Sequence, residues 1–327
     1  MPRCARLDAP GLLHHVIARG IERRVIFSDD GDRANFLQRL ARLLPETGTT
    51  CLAWCLLSNH LHLLVRSGPD GLAWFMRRVL TGYAVYFNRR YDRAGHLFQN
   101  RYHSTVCEAE SYLLELVRYI HLNPVRAGLV PDIQALRQYP GCGHSAVMGV
   151  IPRSWHATDE VLAQFGANAK MARQRYEAFL QDGLERGDLA ARIDESGTEP
   201  EMKGTRDADG PDRRMSQVLG RPEFVESVSR RSNAAVAGRR KSGRALLREV
   251  CRVLNLAPDE LRSGRQERSL ANGRAIVAYL GRSRYRLTGV ELSDVLGLSQ
   301  PAVSLAAQRG QRLLAGNAAF REALDEI

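Results

Sequence analysis

At 327 residues, 44% of them hydrophobic and 25% charged, the chain is too apolar to be disordered and too evenly composed to be fibrous. Its length points to two or three folding units. The formal charge of +11 includes only three lysines, Lys170, Lys203 and Lys241, so the positive charge is almost all arginine. Arginine's planar fork grips phosphate oxygens and stacks on bases, which suits a nucleic-acid partner, although a GC-rich coding sequence produces the same bias. No apolar run approaches the roughly 20 residues of a membrane span, and the start MPRCARLDAP lacks the apolar core of a signal peptide. Six cysteines, at positions 4, 51, 55, 107, 142 and 251, lack the spacing of a disulfide framework. A cytoplasmic, nucleoid-associated protein with no membrane partner is expected.

In chain order, LLHHVIARG (12–20) reads as a strand, and DDGDRANFLQRLARLLPE (29–46) as a helix with Phe36, Leu37, Leu40, Leu43 and Leu44 on one face. CLAWCLL (51–57), a Ser58-Asn59 turn and HLHLLVR (60–66) read as a hairpin. A second helix is predicted over 72–91, a third strand over 101–108, and a helix over 109–122 stopped by Pro124. The alternation predicts an α+β fold, an antiparallel sheet with helices laid on it. The expected divisions are a first domain over 1–140, a helical extension over 141–193, a linker-rich segment over 194–243 interrupted by an apolar piece near Val218 to Val228, and a helical domain over 244–327.

Strand alternation places His60, His62 and Leu64 on one face and Leu61, Leu63 and Val65 on the other. Two imidazoles on one side can share a divalent cation, although a lone His-x-His pair is weak evidence. In AESYLLELVRYIHL the apolar positions Leu113, Leu116, Val117 and Ile120 recur at helical spacing and leave Tyr119 off the main stripe. Asn123 follows one turn later on the same side. Read alone, these two are better taken as an ordinary boundary aromatic and a stop residue before Pro124.

Three runs in order, LLSNHLHLLVR, NRRYDRAGHLFQNRYHS and YLLELVRYIHLNPVRAGLV, resemble the REP-associated tyrosine transposases, insertion-sequence-200-like members of the HUH endonuclease superfamily. The resemblance covers about the first 135 residues. It implies a ferredoxin-like catalytic domain, a Mg²⁺ or Mn²⁺ ion held by His60, His62 and Asn123, and Tyr119 as the nucleophile. The implied activity is cleavage and rejoining of single-stranded hairpin DNA through a 5′-phosphotyrosine link, by a monomer or a homodimer. All four positions carry suitable residues.

Tyr83, Tyr86 and Tyr91 lie among Arg77, Arg78, Arg89, Arg90 and Arg93, a mixture suited to stacking bases and holding backbone. Helical spacing assigns Tyr83 and Phe87 to packing and the arginines to DNA. Arg101, with His96, Gln99 and His103, is a further candidate for substrate contact. A zinc site built from Cys51, Cys55, His60 and His62 fits poorly, because both cysteines are interior to a strand pattern.

Near the C-terminus, LTGVELSDVLGLSQPAVSLAAQRG (287–310) has the rhythm of a helix-turn-helix. Val290 and Val295 are its first apolar positions, Gly297 the turn, and Pro301 suits a first helical turn. The second helix would bury Val303 and Ala306 or Ala307 and show Gln300, Ser304, Gln308 and Arg309 to duplex DNA. With the preceding GRAIVAYLGRSRYRLTG, this region resembles the C-terminal domain of bacterial replication initiators. Two functions are therefore expected to compete: a metal-dependent strand transferase, and a non-catalytic regulator that binds DNA through the helix-turn-helix.

Overall fold

The computed structural model describes residues 7–186, 218–238, 242–285 and 287–315. The chain divides into two compact units, Met1–Ser232 and Asn233–Ile327. Of the linker-rich segment expected over 194–243, residues 194–217 and 239–241 lie outside the described residues, as do the last residues of the expected extension.

The first unit runs β1 (Leu13–Arg19), α1 (Asp30–Thr47), β2 (Thr50–Leu56), β3 (His60–Arg66), α2 (Leu72–Arg90), β4 (His103–Cys107) and α3 (Ala109–Arg126). The shorter helices α4 (Ile133–Gln138), α5 (His144–Val147) and α6 (Thr158–Ala163) follow, then α7 (Ala169–Arg186), β5 (Val218–Leu219) and α8 (Pro222–Gly238), whose residues from 233 on are counted with the second unit. The sheet order is β2-β3-β1-β4-β5. The α+β reading holds, with one correction: β1 to β4 pair antiparallel, but β5 joins β4 in parallel. The apolar piece inside the expected linker is thus part of the sheet, and α8 follows it directly. Arg221 anchors it by hydrogen bonds from its guanidinium to Glu108 at 2.7 and 3.0 Å, and this cation holds the Glu108 carboxyl below its ordinary value.

Both sheet faces are covered. One carries Val16, Ala18, Leu61, Leu63 and Val65 against α1 and α2. The other carries Leu13 and Leu64 against α3 and the helices after it. Covering both faces explains why β2 and β3 are buried almost throughout. A register shift between Cys51 and Ala53 sends both Leu52 and Ala53 to the α3 side, as a bulge does. Cys51 and Cys55, which strict alternation would place together, therefore lie on opposite faces, and cannot share a zinc ion with both histidines.

The edge strand β2 is masked by the segment after α4. Leu56 N–H donates to Gly141 O, Gly143 N–H to Trp54 O and Ala157 N–H to Cys51 O, which removes an open edge. The expected stop at Pro124 is also corrected: α3 continues to Arg126 with Pro124 inside it. Pro124 removes one N–H, yet Ala127 N–H still reaches Asn123 O at 2.8 Å, so the last turn survives.

The second unit is all helical among the described residues: α9 (Gly243–Leu254), α10 (Pro258–Arg262), α11 (Arg268–Ser283), α12 (Gly289–Leu296) and α13 (Gln300–Ala315). Thr288 and Glu291 form a capping box on α12, and Gly297 ends it at φ 65°, a conformation natural to glycine. Val295, Leu296, Val303 and Ala307 are buried as the periodicity requires, but Val290 is 63% exposed because it sits in the first, outward turn. At Gly310 a side chain would lie 2.1 Å from Ala275 O, so α13 packs on α11 through bare backbone. Among the described residues no helix is long and apolar enough to cross a membrane.

Candidate active site

Register decides which histidines meet. Ile17 faces His62 on β3 and His103 on β4, while Arg19 faces His60 and His15 faces Leu64 and Thr105. Side chains at alternate positions share a face, so His15, His60, His62 and His103 all belong to the side of the sheet covered by α3. The His15 and His62 rings stack at 5.3 Å with 14° between planes. His60 lies 5.0 Å from His62, centroid to centroid. The Tyr119 ring stands edge-on to both His62 and His15, at 5.6 and 5.9 Å. Three of the four expected site residues, His60, His62 and Tyr119, are thereby gathered in one cluster.

Asn123, the fourth, is one turn along α3. Its Nδ2 donates to Tyr119 O at 3.0 Å, leaving Oδ1 as its lone-pair end. Tyr119 is half-buried, and the exposed Arg126 guanidinium sits 5.9 Å from the centre of its ring.

Hydrogen bonding fixes the histidine tautomers. Asn59 Nδ2 donates to Arg23 O at 3.2 Å, so Asn59 Oδ1 is the atom facing His60 Nδ1 at 2.7 Å. An amide oxygen only accepts, so His60 Nδ1 carries the proton and Nε2 the lone pair. His62 Nδ1 is 3.1 Å from His15 Nε2, while His62 Nε2 is buried without a hydrogen-bond partner. A buried lone nitrogen is costly unless something binds it, and a divalent cation is the occupant that two neighbouring imidazoles suit. Burial first, then the charges of His15 and His60, hold the His62 pKa well below its ordinary value. Burial, reinforced by His103, brings His15 down to about 3. Neutral rings are the state in which imidazole binds metal. Among the described residues no three His, Cys, Asp or Glu side chains form a group that could hold a metal ion.

The arginines divide. Arg90 binds Asp29 at 2.6 Å and the buried Asp32 at 2.7 Å, and Arg78 binds Glu46 at 2.6 Å; both tie α2 to α1, a structural role the sequence did not reveal. Arg93 lies over Phe87 at 5.6 Å, and Arg89 is exposed. Arg77 and Arg101 are exposed and line a groove of about 830 Å³ between α2 and the 95–102 segment, together with His96, Gln99 and Asn88. Tyr83 is fully buried, as expected, and Phe87 nearly so. His103 is half-buried on the site face. On α13, Gln300 and Gln308 are exposed; Ser304 accepts from Arg282 at 3.2 Å, and Arg309 donates to Asn272 at 2.9 Å. His15, Asn59 and Arg126 were not singled out in the sequence; only the position of His15 on the same alternation as Ile17 and Arg19 hinted at its face.

Comparison with known proteins gives one family, described as "Transposase IS200 like", matching residues 9–123. A solved structure of a REP-associated tyrosine transposase bound to a REP hairpin is loosely similar, with 16% identity, a TM-score of 0.37, and coverage of 48% of this chain and 97% of that one. No curated protein matches. The segment similar to that family, residues 9–123, contains His15, His60, His62, Tyr119 and Asn123.

Proposed function

We propose that the first unit cuts and rejoins single-stranded hairpin DNA through Tyr119. The observation that carries this reading is the half-buried Tyr119 ring lying against His62, whose buried Nε2 lacks a partner. A divalent cation, Mg²⁺ or Mn²⁺, held by His60, His62 and Asn123 would draw charge from a phosphate oxygen and leave positions open for substrate. Tyr119 Oη attacks the phosphorus as the phenolic proton leaves. The bond from phosphorus to the 3′ oxygen breaks, and that oxygen takes up a proton, releasing a 3′-OH while the 5′ phosphate stays on the tyrosine. Reversal by this or another 3′-OH reseals the strand without ATP, since one phosphodiester is traded for another. Arg77 and Arg101 would track the strand along the α2 groove, and Gln300, Ser304, Gln308 and Arg309 would face duplex DNA.

The test is incubation with single-stranded hairpins from the flanking DNA, with Mg²⁺ or chelator, followed by denaturing gels. A metal-dependent covalent adduct, lost in Tyr119→Phe while hairpin binding persists, is the expected result. No adduct with any flanking hairpin, with duplex binding retained, would replace this reading by that of a regulator acting through the second unit.

A further inference from the structure

We infer that His15 is a positioning residue: it accepts the Nδ1–H of His62 and so leaves Nε2 as the lone-pair nitrogen of that ring. This rests on the reading of His62 as a metal ligand. A bond between two imidazole nitrogens needs one donor and one acceptor. Were His15 the donor, His62 would carry its proton on Nε2, and a buried N–H would be stranded where no acceptor lies. With His62 as donor, the same buried Nε2 becomes an open lone pair, whose natural occupant is a cation. The 3.1 Å bond and the near-parallel stacking, 14° between planes, together allow His62 little freedom to turn.

His60 offers a parallel. There the acceptor is Asn59 Oδ1, its orientation set by the bond from Asn59 Nδ2 to Arg23 O, and the outcome is again Nδ1–H with the lone pair on Nε2. Two adjacent histidines are thus set to one tautomer by two different acceptors, one on β1 and one in the turn before β3. A solvated neutral histidine side chain prefers its proton on Nε2, so this shared arrangement is imposed by the neighbours. Ligating histidines held in this way typically lose 10–100-fold in metal affinity when the outer partner is removed.

The experiment uses the full chain with ¹⁵N-histidine, metal-free, and reads the His62 tautomer from long-range ¹H–¹⁵N correlations. In parallel, Mn²⁺ affinity is measured by calorimetry for the native chain, His15→Phe and His15→Gln. His62 is expected to be Nδ1–H in the native chain and to shift toward Nε2–H in His15→Phe, with Mn²⁺ binding weakened about 10–100-fold. His15→Gln, whose amide oxygen can accept the same bond, is expected to restore most of both. A His62 tautomer unchanged in His15→Phe overturns the inference, as does unchanged Mn²⁺ affinity in that variant. If the native chain binds no Mn²⁺ but the tautomer still switches, the metal reading fails and the His15 to His62 coupling stands. The folded state of each variant is checked by its amide spectrum, so that unfolding is not counted as a change of tautomer.

Discussion

A methyl group added at Gly143 would lie 2.6 Å from His121 Nε2, 2.9 Å from His156 Cε1 and 3.1 Å from Trp54 Nε1. All three side chains are buried, so none has room to move aside. His121 is further held by Tyr176 at 2.7 Å, and His156 donates from Nε2 to Leu52 O at 2.9 Å. Gly143→Ala should therefore destabilise the first unit by about 1–3 kcal/mol, seen as a lower urea midpoint at unchanged m-value; an unshifted midpoint would mean that the segment relaxes freely. The same scale shows what a sequence can convey about a site. His60 and His62 were pairable because a period of two is local, and Tyr119 stood out because it leaves an apolar helical stripe. His15 was not legible, since it lies 47 positions from His62 and only the register of β1 against β3 brings them together.

Between elements, Asp32 is the tie from α1 to α2. Its carboxylate, fully buried, accepts from Arg90 at 2.7 Å, Tyr91 OH at 2.9 Å and Ser28 N at 2.8 Å. Removing its charge strands part of a cation, and Asp32→Asn should cost about 2–3 kcal/mol, below the 3–5 kcal/mol of a wholly buried pair because the Arg90 side chain remains 34% exposed. Arg78→Ala, which breaks a pair whose Glu46 partner is more open, should cost under about 1 kcal/mol. Equilibrium denaturation of the two variants checks the contrast, and equal losses would contradict it. Element positions were readable to within a residue or two along β1, α1, β3 and α2, where hydrophobic period and caps agree. The continuation of α3 past Pro124, the bulge at Leu52 and the parallel β5 were not, because each depends on partners distant in sequence. The ion pairs of Arg90 and Arg78 were illegible for the same reason: the acids that pair with them come from α1 and the residue before it.

For the molecule as a whole, every histidine precedes residue 157, so the second unit contains none. Burial lowers His14, His144 and His156 to about 4 and His15 to about 3, all from an ordinary value of 6.5. Below pH 6.5 the unfolded chain takes up protons that these folded residues refuse, so their contribution to stability is intact above that pH and declines as pH falls toward 4. Each contributes a slope of up to about 1.4 kcal/mol per pH unit. The urea midpoint of the first unit should fall steadily from pH 7 to pH 5, beyond any change in the second; parallel profiles for the two units would argue against buried neutral histidines. The parallel strand β5 has a further consequence, in time rather than in energy. The carboxylate of Glu108 waits for a guanidinium 113 residues further along, and at ribosomal speeds that interval is roughly 6–23 s. Throughout it the outer side of β4 has no β5 beside it, while β1, β2 and β3 can already be paired. A nascent chain thus passes through a stage in which β4 presents an open edge, and slower translation between residues 108 and 221 is expected to lower the yield of folded protein.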